Sequence, residues 1–165
     1  MSLTTIKEVN MLKHFSFFLF LIGLSSSVFA DEPEGYPFLP FDQAMQQAQK
    51  DAKPIFVYFG RYGCGYCEKT NKEAFSVPEV KKNYTGHYIL AYVDAESGKR
   101  LRLPSGERIT ERELGTRYKA FVTPVFSFIT TEGKLIYKMI GVQSKESLLA
   151  ADKKVQQLVI QAPSL

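Results

Sequence analysis

The chain contains two cysteines, Cys64 and Cys67, separated by Gly65 and Tyr66 within the stretch Phe59 to Glu68. Cysteines at this spacing can hold a metal, carry a haem, staple a loop or exchange disulfides with a partner. A structural zinc takes about four ligands. There is no second cysteine pair, and beyond the first thirty residues His87 is the only histidine, so no metal site is expected. Covalent haem attachment needs histidine directly after the second cysteine, a position held here by Glu68. A staple across so short a loop withdraws little entropy from the unfolded chain, which leaves an inert disulfide as the plain alternative to thiol–disulfide exchange.

Exchange requires one thiol that ionises easily and a second standing behind it. Ile55-Phe56-Val57-Tyr58-Phe59 is an apolar, β-branched and aromatic run that reads as a buried central strand. Gly60 and Gly63 allow a sharp turn, and the polar stretch Glu68 to Ala74 suits a helix, so Cys64 is predicted at or just before a helix N-terminus. Partial positive charge and unpaired N–H groups there favour a thiolate. Cys64 is therefore the candidate attacker. Cys67, one helical turn in, is the candidate resolver: its attack on a mixed disulfide at Cys64 releases the partner and closes the Cys64–Cys67 disulfide.

The remaining elements must hold this junction in place. Residues 31–40, with Pro33, Gly35 and Pro37, are expected as an extended lead-in without regular structure. Asp42 is predicted to cap a helix from Gln43 to Ala52, which Pro54 stops. Ser76-Val77-Pro78-Glu79 has the capping-box pattern and restarts a helix to about Tyr84. Tyr88 to Val93 reads as a second strand. Ser97 to Ile109 holds Gly98, Pro104 and Gly106 among charges, and Leu101 and Leu103 alternate with Arg100 and Arg102, which predicts an exposed hairpin. Thr110 to Glu113 is another capping box, opening a helix to about Tyr118. Val125 to Ile129 and Leu135 to Ile140 are joined by Thr131-Glu132-Gly133-Lys134 and should pair antiparallel. Ser144 caps a last helix that turns Leu148, Leu149, Val155, Leu158 and Val159 to the sheet. This order describes a small three-layer α/β sandwich.

The chain has 165 residues, 45% hydrophobic and 13% aromatic, which suits one globular domain over residues 41–160 with a frayed end at 161–165. Ahead of it, Lys7, Lys13 and His14 precede the uncharged run Phe15 to Leu24, and Val28-Phe29-Ala30 leads to Asp31. Residues 1–30 read as a secretory signal peptide cleaved at Ala30–Asp31, with Met11 as an alternative start. The run is shorter than the ~20 residues of a membrane span. Export directs the domain to the periplasm, an oxidising compartment. The net charge of +4 is too mild to argue for a polyanionic partner. Lys99-Arg100-Leu101-Arg102 lacks the aromatic set that stacks on bases, so nucleic-acid binding is not expected.

Thr123-Pro124 immediately precedes the strand Val125 to Ile129, where an ordinary central strand avoids proline. The residues alone leave a cis and a trans bond open. Taken in order, the strand Ile55 to Phe59, Cys64-Gly65-Tyr66-Cys67, Thr123-Pro124 and Gly141-Val142-Gln143-Ser144 resemble the thioredoxin-like superfamily, over essentially Pro54 to Leu158. The resemblance implies a thioredoxin-like three-layer α/β/α sandwich with a mixed sheet and a cis Pro124 facing the cysteines. It also implies a substrate groove lined by Gly65, Tyr66, Thr123, Pro124 and Gly141.

Within the superfamily the chain is similar to exported thioredoxins of the SoxW type. That likeness lies in Ser76-Val77-Pro78-Glu79-Val80, the Ser97 to Ile109 insertion, and Thr110-Glu111-Arg112-Glu113-Leu114 leading to Phe121-Val122-Thr123-Pro124. Two positions depart from thioredoxin proper. Tyr58 stands where the family has a buried aspartate proposed to help deprotonate the resolving cysteine, and Gly63 where tryptophan usually precedes the first cysteine. Tyr58 and Glu68 are the candidate modulators of Cys67. A phenol with an ordinary pKa of about 10 makes a poor base at working pH, so core packing is the simpler role for Tyr58.

The expected protein is a periplasmic thiol:disulfide oxidoreductase, acting mainly as a reductant or electron relay toward protein disulfides or sulfur carried on a protein cysteine. It would be a monomer without a cofactor, fed by a membrane thiol donor. The alternative is a binding module, or an isomerase-like factor, that holds a partner in the Pro124 groove. Direction of electron flow depends on the reduction potential, which Gly65 and Tyr66 tune.

Overall fold

Alternation along one strand divides the interior into two cores. In the computed structural model, which describes residues 32–161, strand β1 comprises Leu39–Pro40 and strand β2 Ile55–Gly60. β2 sends Phe56 and Tyr58 to one face and Ile55, Val57 and Phe59 to the other, as side chains of a strand buried on both faces must. With β3 (Ile89–Asp94), β6 (Val125–Ile129) and β7 (Leu135–Ile140) they form a sheet in the order β1-β3-β2-β6-β7. β1, β3 and β2 run parallel, and β6 and β7 antiparallel. The predicted leader, its cleavage point, the alternative start and residues 162–165 of the expected frayed end lie outside the described residues.

Helix α1 (Phe41–Asp51) and α4 (Glu111–Arg117) cover the face of Ile55, Val57 and Phe59. The opposite face takes α2 (Gly65–Thr70), a π-helical turn (Asn71–Phe75), α3 (Pro78–His87) and α5 (Lys145–Gln161). The layers and the mixed sheet agree with the expected α/β/α sandwich. α5 is capped by Ser144, whose Oγ accepts the Ser147 N–H at 3.2 Å. The capping box of α4 also forms, with the Glu113 N–H on Thr110 Oγ1 and the Thr110 N–H on the Glu113 carboxylate.

Four local expectations are corrected. The lead-in is not without regular structure: Leu39 and Pro40 pair with Ala91 and Tyr92, and the Tyr36 hydroxyl donates to the Phe75 carbonyl at 2.8 Å. Asp42 does not cap α1, which begins at Phe41, two residues earlier than expected, behind an extended Pro40; the Asp42 carboxylate instead accepts the Gln43 N–H within the first turn. Ser76 makes no capping box, because its backbone is still helical and its hydroxyl donates back to the Lys72 carbonyl at 2.6 Å. Val77 is the extended residue, Pro78 opens α3, and the helix runs on to His87. The 97–109 hairpin forms as β4 (Arg100–Arg102) against β5 (Arg108–Thr110), but only its arginine face is exposed. Leu101 and Ile109 are buried in the core beneath α1 and α4.

That hairpin seats a buried carboxylate. Glu111 has 5% of its surface exposed and an ion-pair distance of 3.5 Å to Lys99. Burial pushes its carboxyl above the ordinary 4.5, and Lys99 offsets the shift only in part. The folded state thus binds this proton more tightly than the unfolded chain. The resulting stability is present below the unfolded value and is lost as pH rises through the folded one. Denaturant titrations from about pH 4 to about pH 7 should show wild type losing stability relative to Glu111→Gln as pH rises. A constant gap between the two would contradict this.

Candidate active site

β2 ends in Gly60, and the chain turns through Arg61, Tyr62 and Gly63 into α2. Gly63 has φ +66°, a left-handed value that glycine adopts without steric cost, which gives a backbone reason for glycine ahead of the first cysteine. Cys64 is the N-cap of α2. Its Sγ accepts the Cys67 N–H at 3.2 Å and its carbonyl accepts the Glu68 N–H at 3.0 Å. The two cysteines are joined as a disulfide with Cα atoms 5.2 Å apart. Cys67 is wholly buried in the aromatic core, and Cys64 keeps 2% of its surface at the edge.

The Thr123–Pro124 peptide is cis, and Thr123 Oγ1 lies 3.3 Å from Cys64 Sγ. The sheet explains how residues 59 apart in sequence meet: Val125, directly after the proline, pairs with Phe59 at the end of β2. A disulfide sulfur has no proton, so in this state the threonine hydroxyl is the donor. On reduction, the Cys67 N–H and the Thr123 hydroxyl are two donors already in place for negative charge on Cys64 Sγ. Gly141 joins the same wall, its N–H donating to the Pro124 carbonyl at 2.8 Å.

Of the sequence-predicted groove residues, Gly65 and Tyr66 occupy the first turn of α2, and the Tyr66 ring is exposed. Of the two candidate modulators, Tyr58 shares the core cluster of Cys67 and Glu68 follows Cys67 on α2. The Tyr58 ring is wholly buried, with its centroid 4.7 Å from Phe126 and 5.8 Å from Phe75, and its hydroxyl donates to Asn71 Oδ1 at 3.1 Å. Glu68 is exposed on the outer side of α2, with its carboxylate 3.7 Å from Lys72 Nζ. Among the described residues no three histidine, cysteine, aspartate or glutamate side chains are grouped so as to hold a metal ion.

Sequence reasoning missed the surround of the site. Tyr62, Phe121, Val122 and Val142 are exposed on the loops that lead into Cys64, carry Thr123-Pro124 and follow Gly141, and they join Tyr66 on the first turn of α2. An apolar side chain in a loop carries no periodic signal, so nothing local marks these as a surface. Thr70 was also passed over, although it lies on the helix one turn beyond Cys67 and is wholly buried.

The chain is 28% identical over 100 residues to the disulfide bond reductase DsbH of Chlamydia pneumoniae, a match that covers 60% of this chain and 59% of that relative. The chain thus matches less than two thirds of the length of this curated relative. Among solved structures, a thioredoxin from Thermus thermophilus superposes with a TM-score of 0.60 at 23% identity, covering 79% of this chain and 93% of that one. A DsbH oxidoreductase superposes with a TM-score of 0.57 at 23% identity, covering 76% and 85%. At such identity the two structures speak for the fold. The family model of the thioredoxin-like domain matches residues 41–156, a span that runs from the first residue of α1 into α5 and takes in both cysteines and Pro124, and the chain belongs to that family.

Proposed function

We propose that this protein is a periplasmic thiol:disulfide oxidoreductase that reduces disulfides, or sulfur bound to cysteine, in partner proteins. The observation that carries the reading is the Cys64–Cys67 disulfide at a helix N-cap, its outer sulfur against Thr123 beside a cis proline. In the reduced protein the Cys64 thiolate attacks one sulfur of a partner disulfide, forms a mixed disulfide and expels the other sulfur as a thiolate. Cys67, as its thiolate, then attacks Cys64 Sγ; the mixed disulfide breaks, the partner leaves as a second thiolate, and Cys64–Cys67 closes. Two electrons pass from the protein to the partner. A membrane dithiol protein is the proposed donor that restores the pair, and the signal-peptide-like leader supports the compartment.

The exposed rings of Tyr62, Tyr66 and Phe121 favour a protein partner over a small charged thiol, because they offer apolar area for a polypeptide to cover. The finer likeness to exported thioredoxins of the SoxW type belongs to this proposal, as do a monomeric state and the absence of a nucleic-acid partner. A reduction potential measured against glutathione tests direction: a strongly reducing value fits the relay, an oxidising value a disulfide-forming catalyst.

Trapping tests the mechanism. Cys67→Ser should accumulate a mixed disulfide through Cys64 with a protein substrate, visible as a thiol-sensitive band on a non-reducing gel. No adduct from this variant, together with full activity of Cys64→Ser, would sink the mechanism.

A further inference from the structure

Thr70 has no part in the exchange steps, yet it is buried at the point where two walls of the site meet. Its Oγ1 donates to the Tyr66 carbonyl at 3.1 Å and accepts the Gln143 N–H at 3.3 Å. Gln143 is itself fastened, its Nε2 donating to the carbonyls of Ile140 at 3.1 Å and Gly141 at 3.0 Å. Gly141 holds the Pro124 carbonyl, and Thr123 meets Cys64. Followed in order, Cys64, Thr123-Pro124, Gly141 to Gln143, Thr70 and Tyr66 form a closed circuit of four hydrogen bonds and short runs of chain.

The geometry points to Thr70 as a positioning residue that sets the width of the groove, by fixing the Gly141–Gln143 loop to the helix that carries both cysteines. This inference rests on the oxidoreductase reading above. Thr70 touches neither sulfur in the circuit; it acts through Val142 and Tyr66, whose exposed side chains it holds at a set separation. A hydroxyl suits the task because it donates and accepts at once. Valine has nearly the same shape and can do neither, and would leave the half-buried Gln143 N–H without its acceptor.

The test uses the mature protein with Thr70→Val and Thr70→Ser. With insulin as substrate and dithiothreitol as reductant, Thr70→Val should raise KM about 3- to 10-fold, the worth of one hydrogen bond, while kcat falls by less than about 2-fold. Thr70→Ser, which keeps the hydroxyl, should restore KM. A purely structural role would lower activity without this split and without rescue. Amide hydrogen exchange at Gln143 supplies a second readout that needs no turnover, and Thr70→Val should cost about 10-fold in protection there. If Thr70→Val does not fold, Thr70→Ala removes the same hydroxyl without the bulk of valine and should raise KM in the same way.

Unchanged KM and unchanged Gln143 protection in a folded Thr70→Val, or no rescue by Thr70→Ser, would overturn the inference, as would an unchanged KM in a folded Thr70→Ala. Lost Gln143 protection in a protein that reduces no insulin even as wild type would instead fail the oxidoreductase reading and leave the circuit standing.

Discussion

Cys64→Ser should abolish dithiothreitol-driven insulin reduction, with a loss on the order of 1,000-fold or more, equivalent to about 4 kcal/mol of transition-state stabilisation. A serine hydroxyl does not ionise near neutral pH and forms no disulfide, so neither the attack nor the mixed disulfide survives. The fold should survive, because serine is among the best N-cap residues and can accept the Cys67 N–H as the sulfur does. Chemistry and stability thus separate in one variant: the turbidity assay falls to the uncatalysed rate while thermal unfolding matches that of reduced wild type. Retained catalysis by Cys64→Ser would mean that Cys67 or another group attacks.

Phe56→Ala should be the most costly single truncation in the core, at about 3–5 kcal/mol. Phe56 is wholly buried in β2, with its ring centroid 4.8 Å from Tyr84, 5.1 Å from Phe128, 5.9 Å from Phe126, 6.1 Å from Phe75 and 6.4 Å from Tyr88. Those partners come from α3, β6, the π-helical turn and the residue before β3, so the neighbours cannot all collapse on the space left behind. Against a typical domain stability of about 5–15 kcal/mol the loss is a large fraction, and urea titration should show the midpoint falling with little change in slope. A loss below about 1 kcal/mol would mean that the core repacks around the gap.

Much of the architecture was legible because its signals are local. The apolar run Ile55 to Phe59, the glycines after it and the Thr110 to Glu113 box each carry their outcome within a few residues. What was not legible depends on distant partners. Leu39 and Pro40 become a strand only because Ala91 and Tyr92 lie alongside them. Ser76 has the composition of a cap, but the π-helical turn keeps its backbone helical and directs its hydroxyl backwards. Leu101 and Ile109 looked like hairpin surface until the core beneath α1 covered them. At the site, spacing singled out the cysteines and the resemblance brought Pro124 to face them, whereas Thr70 and Gln143 met 73 residues apart with no pattern to announce it.

The burial of Cys67 inside the Phe56–Phe126 core has a thermodynamic consequence. Oxidised and reduced forms, each folded and unfolded, make the four corners of one cycle, so any preference of the core for one redox form appears equally as a difference in melting temperature. A reduced form that melts higher marks an oxidant, and an oxidised form that melts higher marks a reductant. Two calorimetric scans therefore read the direction of electron flow with no redox partner present.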